Sequence, residues 1–205
     1  MIVLVARCAN SKGERVPGTR ERIVSAASTL FMTQGYSGSG LKQISDVSAA
    51  TIGSLYHFFP GGKVELTAET LREAGRRYQA LVETIFDASP DLVAGIRNCF
   101  DGAAATLRAT DYADACPIAT VALEVASSNE PLRIVTAEIF ESWRSAFASR
   151  FAVAGVDPTA ARELADVVVA ALEGGFLLCR AAKDAAPLES IGRAMVDLVE
   201  AAIGR

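Results

Sequence analysis

The sequence predicts an all-α protein with about nine helices. Hydrophobic residues make up 51% of the 205 residues, aromatic residues only 7%, and there are seven prolines. Ala, Leu and Val are abundant, and Ala and Leu enter a helix with little loss of side-chain entropy. Apolar residues also recur three and four positions apart along much of the chain, which is the spacing of one helix face.

The net charge of -4 is unevenly distributed along the chain. Residues 1–66 carry seven Lys or Arg against four Asp or Glu, whereas residues 67–205 carry thirteen against twenty. A basic N-terminal part is suited to approach a polyanion such as nucleic acid. On this observation alone an accidental charge split stays open.

Cysteine spacing and hydropathy argue against several protein classes. The four cysteines form no CxxC pair and there is one histidine, so no zinc-site spacing occurs. We interpret Cys8, Cys99, Cys116 and Cys179 as buried thiols of a cytoplasmic protein. The apolar start at residues 1–6 lacks the features of a secretory signal. No segment reaches the roughly 18 uncharged apolar residues of a membrane span, so no membrane partner is expected.

Residues 1–18 are predicted to be a flexible N-terminal tail, and the first helix follows them. Thr19 offers a hydroxyl N-cap, and the helix ends near Gln34 because Gly35 stops it. Its apolar stripe consists of Ile23, Ala26, Ala27, Leu30 and Phe31.

Two shorter helices are predicted next. Ser39 is the expected N-cap of a helix over 40–48, and Thr51 is the expected N-cap of a helix over 52–58. Two short capped helices separated by a tight turn are typical of a helix-turn-helix.

Six further helices complete the prediction, and prolines mark most of their first turns. They cover residues 63–88, 91–109, 117–126, 131–155, 158–182 and the region from 187 onward.

A detailed motif lies between residues 19 and 66. The end of the first helix carries Leu30 and Phe31, the pair Gly35 and Tyr36 follows it, and Ile44 lies in the second helix. The third helix and the turn after it read Gly53, Ser54, Leu55, Tyr56, His57, Phe58, Phe59 and Lys63. In this register the residues resemble the DNA-binding domain of the tetracycline-repressor family. The resemblance covers about a quarter of the chain.

The resemblance implies that residues 19–66 form a helix-turn-helix domain that binds double-stranded operator DNA. Gly53 would let the backbone approach the DNA closely, and polar side chains of the third helix would meet phosphates or base edges. The expected DNA contacts are Ser39, Lys42, Thr51, Ile52, Gly53, Ser54, Tyr56, His57 and Lys63. Lys63 and the start of the fourth helix would meet one phosphate. Phe59 is interpreted as a core residue. For Tyr56 a role in the core stays open, and for His57 a solvated position on the surface stays open.

Three features depart from the common family pattern. Ala49 stands where members usually have Gly, and Ala50 where they have a branched apolar residue. The turn 60–63 is one residue longer than in many members, which is similar to a subgroup related to lincomycin-resistance repressors. The segment 116–119 is also similar to that subgroup. The third helix lacks Arg, Asn and Gln, so the operator sequence is not predicted.

The resemblance implies that residues 67–205 form a ligand-binding and dimerisation domain. The expected effector is a small hydrophobic or aromatic compound, because the candidate lining is largely apolar. The candidates are Cys99, Phe100, Ile118, Leu123, Glu124, Phe140, Trp143 and Phe147, although each is also compatible with a plain core or surface role.

A homodimer is expected because two helix-turn-helix units bind half-sites about 34 Å apart. The predicted interface uses the last two helices, through Phe176, Leu177, Met195 and Leu198. A buried core helix in a monomer is the alternative for residues 167–179.

The sequence therefore favours a ligand-released repressor that binds a palindromic operator. An activator of the same fold stays open. A small helical enzyme is disfavoured, because the sequence has no nucleophile beside a base and no phosphate-cradling glycine loop, and no cofactor is expected.

Overall fold

The computed structural model describes residues 17–204, which contain nine α-helices and no strand. The predicted tail lies almost wholly outside this range, together with Cys8. The helices are α1 (Thr19–Gln34), α2 (Leu41–Ser48), α3 (Ile52–Phe58), α4 (Gly62–Asp87), α5 (Leu92–Ala109), α6 (Pro117–Val125), α7 (Glu130–Val153), α8 (Pro158–Ala182) and α9 (Ala186–Ala202). The predicted all-α class is confirmed.

Side-chain caps fix several helix starts. The Thr51 hydroxyl accepts a 3.0 Å hydrogen bond from the Ser54 N–H, which confirms the predicted start of α3. Asp157 accepts from the N–H groups of Thr159 and Ala160, and Pro158 follows it, so the predicted start of α8 is also confirmed.

Two predicted N-caps are wrong by one residue. The N-cap of α1 is Gly18, whose N–H donates 2.9 Å to the Glu21 carboxylate, and Thr19 already lies in the helix. The N-cap of α2 is Gly40. Ser39 is fully buried and donates its hydroxyl to the backbone oxygen of Gly35 at 2.7 Å, so it closes the preceding turn instead of capping α2.

Proline marks three later helices less closely than predicted. Pro90 precedes the N-cap of α5, since Asp91 accepts from the Ala94 N–H at 2.9 Å. Helices α7 and α9 each begin one residue before their proline, at Glu130 and Ala186.

The described residues divide into two compact units. The head unit comprises residues 17–76 and 115–139, and the body unit comprises residues 77–114 and 140–204. The first part of α4, the short helix α6 and the first part of α7 therefore group with the helix-turn-helix, while the domain boundary after residue 66 stays a prediction.

The head unit encloses its own apolar core. Helices α1, α2, α3 and α6 each contribute fully buried side chains, and removing them from water stabilises the unit. These side chains include Ile23, Ala27, Phe31, Ile44, Leu55, Ile118, Val121 and Val125.

The body unit packs α9 closely against α5 and α8. A Cβ on Gly192 would lie 2.7 Å from the Cβ of Phe100, and one on Gly175 would lie 2.5 Å from a methyl group of Leu188. Both glycines therefore permit close helix contact. Within residues 17–204, no helix has the length and apolar character needed to cross a bilayer.

Candidate nucleic-acid interface

Helix α3 is held by one face and presents the other to solvent. Leu55 is fully buried, and Phe59, directly after the helix, is also buried, which confirms its interpretation as a core residue. Tyr56 is 50% exposed and is therefore not a core aromatic. Ile52, Gly53 and His57 are exposed as well. The outer face of α3 is thus free to meet a partner.

The first turn of α3 carries a compact polar group. The hydroxyls of Thr51 and Ser54 lie 2.9 Å apart and share a hydrogen bond. A Cβ on Gly53 would contact only the Thr51 hydroxyl, at an ordinary 3.7 Å. Packing within the chain therefore does not require glycine at position 53. Glycine would be required there if the backbone approached a partner outside the chain closely.

The turn between α2 and α3 uses a left-handed residue. Ala49 has φ 51° and ψ 37°. The N–H of Ala50 donates 3.1 Å to the backbone oxygen of Ser45, and the Ser45 hydroxyl donates 2.5 Å to the oxygen of Ala50. Arg22 of α1 donates through Nε to the oxygen of Ser48 at 3.2 Å, so α1 caps the end of α2. The sequence reasoning did not find this role of Arg22.

The two candidate lysines differ in their surroundings. Lys42 is exposed and pairs with Asp46 at 2.9 Å, one turn along α2. Lys63 is half-buried, and its Nζ donates 2.6 Å to the backbone oxygen of Tyr36 and lies 4.1 Å from the centre of the Tyr36 ring. The predicted contact of Lys63 with a DNA phosphate would therefore compete with its hydrogen bond to Tyr36. Burial lowers the pKa of Lys63 and the charge of Glu124 raises it, and the effect of burial is larger, so the pKa lies below the ordinary value.

Glu124 of α6 binds the loop after α1. Its Oε1 accepts from the N–H of Tyr36 at 2.8 Å, and its Oε2 accepts from the N–H of Ser37 at 2.7 Å. Burial raises the pKa of the Glu124 carboxyl, but hydrogen bonds from Ser37 and Tyr36 and the charge of Lys63 lower it more, so its pKa lies below the ordinary value. In this structure Glu124 holds the loop that follows α1, and its role as a ligand-orienting acid stays a prediction.

Gly35 makes this contact possible. Its φ of 72° lies in the region that glycine tolerates, and a Cβ there would collide with Oε1 of Glu124. The sequence indicated Gly35 as a helix stop and as part of the family motif, but not as the site of a close contact with an acid.

Sequence and structure comparisons point to one family. A family model described as bacterial regulatory proteins, tetR family, matches residues 23–70. A second, described as the C-terminal domain of LmrA/YxaF-like transcriptional regulators, matches residues 93–194. The uncharacterized HTH-type transcriptional regulator YxaF of Bacillus subtilis (strain 168) is 36% identical over 88% of this chain and 95% of its own length.

The chain belongs to the tetR family. It is a helix-turn-helix transcriptional regulator of this family, and its C-terminal domain is LmrA/YxaF-like. The HTH-type transcriptional regulator LmrA of Bacillus subtilis (strain 168) is 35% identical over 89% of this chain and 97% of its own. The fold is shared with a cysteine mutant of the TetR family transcriptional regulator CifR, solved with 26bp operator DNA, with a TM-score of 0.75 and 18% identity over 90% of this chain and 98% of that one.

The predicted effector residues of this tetR regulator separate between the two units. Cys99, Phe100 and Phe147 belong to the core of the body unit, with Phe140 and Trp143 packed against it. Ile118, Leu123 and Glu124 belong to the head unit. Leu123 is 82% exposed, so its side chain does not line an enclosed site in this structure. Burial raises the pKa of Cys99 to about 12, which makes it an unreactive thiol.

A surface cavity of about 400 Å³ lies elsewhere in the body unit. Its lining consists of Phe86, Ser89, Asp91, Leu92, Ser149, Arg150, Val153 and Ala154, and it includes none of the eight predicted effector residues.

The predicted dimer residues also differ in exposure. Leu177 is 64% exposed and Leu198 is 43% exposed, whereas Phe176 is only partly accessible. Met195 is 4% exposed and packs in the core of its own body unit, so within the single chain it presents little surface.

Proposed function

We propose that this tetR-family regulator is a homodimeric repressor that binds a palindromic operator and is released by a small hydrophobic or aromatic effector. The observation that carries the DNA-binding part is α3 itself. Leu55 fixes the helix from inside, while Tyr56, His57 and the Thr51–Ser54 hydroxyl pair face outward. Such a rigid helix with an exposed polar face suits the major groove.

The comparison with CifR supports the same part of the proposal. That protein was solved with 26bp double-strand operator DNA and has the same fold. The palindromic operator proposed for the present chain requires two heads, which a monomer cannot supply. Three leucines on the last two helices are exposed, which supports the prediction that these helices form the dimer interface: Leu177 and Leu178 on α8 and Leu198 on α9.

Aromatic packing in the body unit supports a hydrophobic effector. Trp143 lies edge-on to Phe140, with ring centres 5.6 Å apart, and to Tyr78 at 6.1 Å. Phe140 and Trp143 are only partly buried, so both retain surface for an apolar compound.

Electrophoretic mobility shift and footprinting with the DNA that flanks the gene test the operator part of the proposal. We expect protection of two half-sites about 10 base pairs apart, or a multiple of that spacing. Absence of binding to this DNA even at low ionic strength would refute the proposal.

A pair of lysine variants tests whether the head unit makes the contact. Lys42 and Lys183 are both exposed and paired with an aspartate, but only Lys42 lies in the head unit. Lys42→Gln is expected to weaken operator binding and to reduce the slope of log K against log salt by about one, whereas Lys183→Gln should leave both unchanged. Equal effects of the two variants would argue against the assignment of the DNA-binding face.

The effector part has its own test because Trp143 is the only tryptophan of the chain. Hydrophobic and aromatic compounds are screened for quenching of its fluorescence, and each binder is then tested for release of the operator. A binder that leaves operator affinity unchanged would contradict the switch, since a ligand with equal affinity for both states shifts nothing.

Deletion of the gene tests whether the regulator represses or activates. The levels of its target transcripts should rise, and a decrease in these levels would indicate an activator.

A further inference from the structure

The link between Glu124 and the loop after α1 joins two parts of the chain that match different family models. Glu124 lies on α6, within the residues that match the C-terminal domain model, 93–194. Its two hydrogen-bond donors, Tyr36 and Ser37, lie within the residues that match the DNA-binding model, 23–70. The helix-turn-helix is therefore held in part by a carboxylate from outside it.

The carboxylate binds where the backbone of α1 has ended. The N–H of Gly35 still donates to the oxygen of Phe31 at 3.1 Å, but the next two N–H groups have passed the end of the helix. Each of them donates to one oxygen of Glu124. Hydrogen bonds to an ionised acceptor are about twice as strong as neutral ones, so this double contact is a firm anchor.

The same peptide is anchored from a second helix. Lys63, in the first turn of α4, donates to the backbone oxygen of Tyr36, whose N–H is bound by Glu124 of α6. Just beyond this loop, the Ser39 hydroxyl closes the turn onto Gly35, and Gly40 is the N-cap of α2. The direction in which α2 leaves the loop, and with it the position of α3, thus depends on where Glu124 and Lys63 hold Tyr36.

We propose that Glu124 is a positioning residue for operator binding, which fixes the loop between α1 and α2 so that α2 and α3 are presented in the DNA-binding arrangement. This inference rests on the proposed DNA-binding function. It makes α6 a regulatory point, because any movement of α6 away from α1 withdraws the acceptor from both N–H groups at once.

The sign of the effect separates positioning from simple electrostatics. Glu124 carries a negative charge in the unit that approaches DNA. If only this charge mattered, removing it would strengthen DNA binding. A positioning role predicts the opposite. Glu130, also in the head unit, provides the matched control because its carboxylate is exposed and pairs with Arg133, three residues away on the same helix, at 2.6 Å.

The test compares the full-length wild type with Glu124→Gln, Glu124→Asp and Glu130→Gln on one operator fragment. Glu124→Gln replaces one acceptor oxygen by a donor that faces an N–H, and Glu124→Asp keeps the charge but is one methylene too short. Both are expected to weaken operator binding about tenfold, which corresponds to about 1.4 kcal/mol. Glu130→Gln should bind as tightly as the wild type or slightly more tightly.

Amide hydrogen exchange supplies a readout that does not depend on DNA. The N–H groups of Tyr36 and Ser37 are expected to exchange slowly in the wild type and at least about tenfold faster in both Glu124 variants, while the Ser54 N–H, capped by Thr51, is unchanged. If Glu124→Gln does not fold, as judged by its helical circular dichroism, Glu124→Asp carries the test.

The outcomes are distinct. Wild-type binding to the operator together with unchanged affinity of the Glu124 variants overturns the positioning role and leaves the proposed function intact. A wild type that binds no operator overturns both. Tighter binding by Glu124→Gln, to the same extent as Glu130→Gln, shows that only charge matters and also overturns the positioning role.

Discussion

The ammonium of Lys63 donates a 2.6 Å hydrogen bond to the backbone oxygen of Tyr36 and lies 4.1 Å from the centre of the Tyr36 ring. One side chain thus satisfies an acceptor beyond the end of α1 and also makes a cation–π contact. Both interactions gain strength from partial burial, because water competes less well there. Lys63 is therefore a structural residue of the head unit whatever it contributes to DNA binding.

We expect Lys63→Met to lower the free energy of unfolding by about 1–2 kcal/mol, since the charged hydrogen bond and the cation–π contact are lost while the apolar stem is kept. Denaturant or thermal unfolding followed by circular dichroism measures this change. Lys42→Met is the control, because its exposed pair with Asp46 is expected to be worth about 0.5 kcal/mol or less. Equal stability of the two variants would contradict the structural role of Lys63.

The left-handed turn at Ala49 predicts a stabilising substitution. Ala49 is exposed and has φ 51°, a conformation that costs a residue with a Cβ about 1–2 kcal/mol. Ala49→Gly removes this strain but makes the unfolded chain more flexible, so we expect a net gain of about 0.5–1 kcal/mol. Ala50→Gly should be neutral or destabilising, because Ala50 has no positive φ. A lower melting temperature for Ala49→Gly than for the wild type would refute this account.

Local signals in the sequence predicted most of the fold. Thr51 and Asp157 cap the helices that they were expected to cap, because an N-cap is a contact between residues two or three positions apart. The prediction of Ser39 as an N-cap was wrong because it considered only such local contacts. A serine before an apolar stripe looks like a cap, but its hydroxyl has a second acceptor, the oxygen of Gly35, which only the three-dimensional turn brings near.

The contact of Glu124 was beyond local reasoning. Its partner Tyr36 is 88 positions away, and an acid within an apolar stretch is equally compatible with a ligand contact. The one sequence signal was Gly35, which is needed both for its positive φ and for the close approach of the carboxylate. The effector site was equally hard to predict, because aromatic residues such as Phe100 and Phe147 serve a core and a pocket with the same chemistry.

The lowered pKa of Glu124 predicts how the stability it provides depends on pH. The carboxylate is bound in the folded state, so its contribution is fully present above the unfolded pKa near 4.3 and is lost as the pH falls through the lower folded pKa. The wild type should therefore have a higher melting temperature than Glu124→Gln at neutral pH, and the difference between the two melting temperatures should become smaller in acid. Measuring the difference between the two proteins cancels the titration of the other acids. A gap that stays constant from neutral pH to about pH 3 would mean that the bound charge contributes nothing.

The exposed leucines of the body unit lead to a prediction about assembly. Leu177 on α8 is 64% exposed, and burial of such a side chain in a subunit interface is favourable by roughly 1.5–3 kcal/mol. Leu177→Glu places a charge there, so we expect a shift from dimer to monomer in sedimentation velocity and a loss of operator binding. Val153→Glu is the matched control, because Val153 is also a body-unit residue and is 89% exposed, at the end of α7.

Met195 separates a loss of assembly from a loss of core packing. Because Met195 is buried among the residues of its own body unit, Met195→Ala should lower stability by about 2–4 kcal/mol through the cavity it leaves. The folded Met195→Ala protein should still sediment as the wild type does, whereas folded Leu177→Glu should not. If Met195→Ala dissociates at unchanged stability while Leu177→Glu remains a dimer, the exposed leucine is not part of the interface and the partner surface involves Met195 instead.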